Sequence, residues 1–170
     1  MDLYMITLRL IHILAGIFWV GITILFVAFA LPWLRKTGRA GDKFILGLSE
    51  LRLAPAIGTA AVLTVVAGLL MYWRVSAGLN PDWITSRAGL ALTAGGVFGI
   101  LALLTGARVT GPGLDRRIEL AREIEAGGGS ATPEQQTEVD ALHDRMRRTM
   151  LFDLGLMVLA VLGMAAHRHL

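Results

Sequence analysis

The sequence predicts an all-α integral membrane protein built as a four-transmembrane-helix bundle. Three observations carry that prediction. Of the 170 residues, 55% are hydrophobic and 17% charged, and the hydrophobic ones fall in blocks that hold almost no charge, unlike the pattern of soluble domains. Four such blocks come near or exceed the roughly 20 residues that cross about 30 Å of hydrocarbon at 1.5 Å per residue. Arginine and lysine gather at the block ends, where they set orientation, so the formal net charge of +3 does not call for nucleic acid as a partner.

The first span runs from about Leu3 to Leu34. Ala28-Phe29-Ala30 has the small-x-small form of a signal-peptidase site, but the apolar run is longer than a signal peptide carries, and a retained helix is expected. Arg35, Lys36, Arg39, Lys43 and Arg52 follow, and then a second span from about Leu53 to Trp73. The connection from Arg74 to Arg87 is poor in charge and contains Asn80-Pro81-Asp82-Trp83, a turn signal. A third span covers about Ile84 to Ala107 and a fourth about Thr149 to Ala166. Between them, residues 113–148 read as a helical extension. Leu114, Ile118, Ala121 and Ile124 recur at helical spacing, Gly127-Gly128-Gly129 ends the first arm, and Thr132-Pro133-Glu134-Gln135 is a capping box with proline at the first helical position. The positive-inside rule then puts the two charge-rich connections in the cytoplasm and both termini outside, with a cytoplasmic helical hairpin between helices 3 and 4 and the whole chain, residues 1–170, as a single membrane domain.

The sequence contains no cysteine, which excludes disulfides, thiolate metal sites, iron-sulfur clusters and covalently attached haem. Phosphate-loop, nucleophile-elbow and zinc-protease patterns are also missing. The chemistry-bearing residues lie on two membrane stripes. Arg9, His12, Gly16, Trp19 and Thr23 step by three and four on the first helix, and Asp153, Met157, Ala160, Met164 and His167 do so on the fourth. Both stripes are expected to face inward, because an ionisable group in hydrocarbon is costly. Counting back from Leu34 puts His12 about 33 Å up the first helix, and counting forward from Met150 puts His167 about 25 Å up the fourth, both toward the outer interface.

Neutral imidazole is an axial ligand for haem iron, methionine can be the second, and Arg9 stands one turn from His12, ready for a propionate. His12 and His167 are therefore candidate haem ligands, with Arg9, Trp19 and Met164 beside them. The set His12, Met71, His167 and His169 equally suits Cu(I). The plain alternative is that His12 is interhelical glue, bonded to a threonine or a backbone carbonyl, and that the terminal histidines are interfacial. Asp153 is expected to pair with Arg147 or Arg148. The glycines of the third span, Gly95, Gly96 and Gly99, either pack a neighbouring helix, leave room for a flat ligand or form a homodimer face.

His12 followed by Trp19, Gly21 and Pro32 resembles the first helix of the copper resistance protein D superfamily of four-helix membrane domains. The resemblance extends through Arg52 and Gly68 in the second helix, Gly89 to Arg108 in the third, and Arg147-Arg148 with Asp153 at the start of the fourth. A neighbouring family, the membrane-bound protoporphyrinogen oxidases, is associated with haem b, a first-helix histidine and a third-helix lysine. His12 matches that histidine, but Thr93 stands near the lysine position and the third span contains no lysine. The resemblance thus implies a haem b-binding redox or electron-transfer protein of a bacterial-type plasma membrane, working with a quinone or another membrane redox partner, but without protoporphyrinogen oxidation. Copper binding or transport is the alternative it implies. A non-catalytic subunit docking a partner through residues 113–148 is a third reading, drawn from the charged extension itself.

Overall fold

A computed structural model describes residues 2–167, and all regular secondary structure among them is helical. We number the helices α1 (Leu3–Thr37), α2 (Arg39–Glu50), α3 (Leu53–Val75), α4 (Pro81–Ile84), α5 (Arg87–Ala126) and α6 (Pro133–Ala166). Helices α1, α3, α5 and α6 are long and apolar enough to cross a membrane.

Two of these helices run on past the expected ends of their spans, and for the same reason. Proline lacks an N–H and its ring crowds the carbonyl four residues back, so Pro32 and Pro112 should end or kink a helix. In each case a π turn precedes the proline, at Phe26–Ala30 in α1 and at Gly106–Thr110 in α5. The Leu31 N–H reaches the Phe26 carbonyl and the Gly111 N–H the Gly106 carbonyl, each five residues back. The widened turn carries the helix through the proline.

Helix α1 packs along α3 and α5 along α6, and the pairs meet through α3 with α5 and α1 with α6. All four spans contribute to one core, formed by Trp19, Ala60, Ala61, Ala102, Leu156 and Met157. The large exposed apolar residues, among them Leu14, Ile17, Leu69, Leu90 and Leu162, point away from it, as in a helix bundle facing lipid. Small residues bring α5 and α6 into backbone contact. A Cβ added to Gly163 would stand 2.7 Å from the Ala91 carbonyl oxygen and 3.0 Å from the Gly95 Cα, and one added to Gly95 would stand 2.9 Å from the Ala160 oxygen. Gly95 is thus occupied within the chain, whereas a Cβ on Gly96 or Gly99 would meet nothing within 4 Å.

Beyond the spans, at the end opposite the termini, α2, the second half of α5 and the first turns of α6 form a cap. The segment 39–50 reads as a charged connection, yet it folds as an amphipathic helix on α5. Ile45 is buried on α2, and Leu120, Ala121 and Ile124 are buried on α5. Arg117 of α5 and Asp42 of α2 form a salt bridge, each side chain only 11% exposed. Arg39 bonds Glu125 at 3.0 and 3.3 Å, and those bonds hold its guanidinium above its ordinary pKa. Arg116 reaches Glu138 on α6 at 2.7 and 3.0 Å. Thr132 and Gln135 exchange the expected capping-box bonds at 3.0 and 3.2 Å and start α6.

Two outcomes are expected for the purified protein in detergent. Gly163→Ala should lower the thermal midpoint by forcing α5 from α6, at roughly 1–3 kcal/mol, while Gly96→Ala should leave it unchanged. Asp42→Leu alone strands a buried guanidinium and should cost about 3–5 kcal/mol, most of which the double variant with Arg117→Met should recover, since an apolar pair of similar volume often replaces a buried ion pair without loss.

Candidate functional site

His12 is half-buried in α1, and its ring lies against α3. The Nδ1 atom is 2.7 Å from the Thr64 carbonyl oxygen. A carbonyl only accepts, so the bond requires the proton on Nδ1, which in the neutral tautomer puts the lone pair on Nε2. The oxygen has a second lone pair to offer because the helical bond uses only one. Gly68, one turn along, makes the approach feasible: a Cβ there would stand 3.0 Å from Cε1 and 3.1 Å from Nδ1 of the ring. Gly16 meets Thr64 in the same way, its hypothetical Cβ 3.5 Å from the threonine methyl. The interhelical bond expected of a structural histidine is therefore present. It is also the arrangement in which a metal-ligating histidine is fixed by its other nitrogen.

His167 follows the last residue of α6, and its Nδ1 is 2.5 Å from the carbonyl oxygen of Met164. The same logic assigns that proton to Nδ1 and leaves Nε2 without a bond. Heights follow from the shared core. Trp19 and Met157 belong to one cluster; His12 lies seven residues from Trp19 and His167 ten from Met157, so the rings differ in height by only about 5 Å. Phe26 packs in one cluster with Leu53, the first residue of α3, and His12 stands about 21 Å up α1 from Phe26.

The remaining predicted residues separate. Trp19 is 7% exposed in the centre of the four-span core, two turns below His12, where it packs against alanines. Arg9 is exposed and has no ion pair among the described residues, so it does not share the inward face of Trp19 and Thr23. Met164 is half-buried with its Cγ beside Gly95 on α5, and Met71 is half-buried on α3. His169 lies outside the described residues. Among the described residues no three His, Asp or Glu side chains converge as a metal site.

Asp153 is not paired with arginine. The carboxylate is 4% exposed, one oxygen accepts from the Thr110 hydroxyl at 3.3 Å, and the other has no partner. Arg147 and Arg148 are exposed, and Arg148 bonds the Asp144 carbonyl instead. Thr110, the last residue of the π turn of α5, takes the place of an arginine as its partner. Sequence reasoning also missed Thr64 and Gly68 as partners of His12, although Thr64, Gly68 and Tyr72 step by four along α3. That stripe ends in a second interhelical bond, Tyr72 to Thr93 on α5 at 2.6 Å.

As a tie between helices, the His12 bond is worth about 0.6 kcal/mol, the average for such bonds in membranes. His12→Leu should therefore shift the midpoint of unfolding only slightly, whereas Gly68→Val should shift it more, because the added methyls meet the ring. Comparison of the chain with protein-family models, with characterised proteins and with solved structures finds no match.

Proposed function

We propose that this chain is a multi-pass membrane protein that binds haem b and passes electrons, with Nε2 of His12 and Nε2 of His167 as the axial ligand atoms. One observation supports this above the others. Two imidazoles on neighbouring helices, at nearly the same height, each spend Nδ1 on a backbone carbonyl and keep Nε2 for a ligand. Such anchoring fixes the tautomer and raises the basicity of the ligating nitrogen. When bound, haem supplies a one-electron couple; the protein sets its potential through the axial nitrogens and burial. Arg9, exposed one turn beyond His12, suits a propionate at the interface.

Orientation belongs to the same reading. The cap carries most of the cationic side chains, so it is assigned to the cytoplasm, with α5 and α6 joined there as a helical hairpin and both termini outside. The haem would then lie in the outer half of a bacterial plasma membrane, within reach of a quinone or another membrane redox partner. A second copy of the chain has Gly96 and Gly99, rather than Gly95, as its small-residue face.

The purified protein, expressed with adequate haem supply, is expected to show a Soret band that His12→Ala abolishes and His167→Ala weakens and shifts. A colourless wild-type protein overturns the assignment. Metal analysis that finds copper in its place, lost on His12→Ala, would favour the copper reading.

A further inference from the structure

Charge is sorted by height in the cap. Arg39, Arg116 and Arg117 pair with Glu125, Glu138 and Asp42 in the layer farther from the spans, whereas Arg147 and Arg148, at the start of the fourth span, are exposed and have no ion pair among the described residues. Their level is fixed by Met150, which is buried in one cluster with Phe26 and Leu31 of α1. Arg35 stands one turn beyond Leu31, toward the same end. Asp144 gathers these groups. Its carboxylate meets Arg35 at 3.8 Å, with both side chains more than half exposed, and its backbone oxygen accepts from Nε of Arg148 at 3.2 Å. Arg147 and Arg148 line an open groove with Asp144. Three guanidiniums from two helices thus face one carboxylate, and Asp140, one turn toward the tip, accepts from Gln136 at 3.1 Å. The Nε bond steadies the Arg148 guanidinium and leaves its terminal nitrogens for another acceptor.

The surface leading from the groove into the span is apolar. Arg148, Phe152, Gly155 and Leu159 step by four, three and four along α6, so they share one face, and all are exposed. A Cβ on Gly155 would meet nothing within 4 Å, so the stripe is notched between Phe152 and Leu159. Excess positive charge at the end of a span, continuous with an exposed apolar stripe, matches a negatively charged headgroup carried on acyl chains. We infer that the surface where α1 meets α6 holds an anionic phospholipid, its phosphate on Arg35, Arg147 and Arg148 and an acyl chain along Phe152, Gly155 and Leu159. A free anion would fit only the charged half. The inference needs the bilayer and not the haem, so the two stand or fall separately.

The test uses the full-length protein in mixed micelles, with phosphatidylglycerol in one arm and phosphatidylcholine at the same mole fraction in the other. Thermal unfolding should show a saturable rise of at least about 2 °C with phosphatidylglycerol and none with phosphatidylcholine. The rise should shrink as sodium chloride goes from about 0.1 M to about 0.5 M. Native mass spectrometry counts the retained lipid without relying on stability. The double variant Arg147→Gln with Arg148→Gln, which breaks no ion pair among the described residues, should lose both the rise and the retained lipid. Arg52→Gln, at an exposed arginine beside the second span, should keep both. No preference for phosphatidylglycerol overturns the site, and so does a double variant that behaves as wild type. Equal loss in Arg52→Gln also overturns it, because the attraction is then spread over the whole cationic end.

Discussion

A bilayer offers no hydrogen-bond partner to a backbone amide, and the rest of this structure follows from that constraint. The spans are helical throughout, and the two prolines within α1 and α5 are passed by π turns rather than by breaks. Hydroxyls in the spans turn back on their own helices, Thr23 to Trp19, Thr64 to Ala60 and Thr105 to Leu101. Three side-chain bonds cross between these helices instead, His12 to Thr64, Tyr72 to Thr93 and Thr110 to Asp153, and the first of them reaches a backbone carbonyl. The His12 bond requires the helices to approach closely, and Gly16 and Gly68 provide the space.

The two ends of the bundle have different chemistry. At the end with the termini, charges are sparse, with Arg74 and Asp2 in a loose pair at 3.9 Å, and His12 and His167 each hold Nδ1 against a backbone carbonyl. At the cap, charges of both signs are paired across three helices, with Arg117 and Asp42 withdrawn from water. The core around Trp19 separates them, packed with alanines and with Leu156 and Met157 from α6. Buried Asp153 stands between that core and the cap, tied to the π turn of α5 rather than to a cation. An ionisable group at such a place in a membrane protein needs a partner or a role, and its free oxygen faces neither arginine that the sequence places nearby.

Much of the fold could be read directly from the sequence, because hydrophobic block length and helical periodicity are strong signals. The four spans, the stop at Gly127 and the capping box at Thr132 are of that kind. Helix α2 was not legible, since its charges dominate a short stretch whose apolar face only makes sense against α5. The unbroken run of α5 through Pro112 was hidden because a proline ordinarily marks a boundary, and the π turn that overrides it has no composition of its own. At the site, the inward faces of α1 and α6 were readable from spacing, but Arg9 turned outward, as a long cation at a helix end can. A backbone carbonyl was one of the partners foreseen for His12, but that Thr64 supplies it was not legible, because no side-chain pattern marks a carbonyl.

The position of His12 depends on the packing that sets α1 against α3. The absence of cysteine from the chain allows it to be tested by paired cysteines in membranes. Gly16→Cys with Thr64→Cys should form a disulfide on mild oxidation, and Ile11→Cys with Gly68→Cys, one residue around the helix from His12, should do so poorly. Efficient cross-linking of the second pair and none of the first would contradict the register that sets His12 against Thr64.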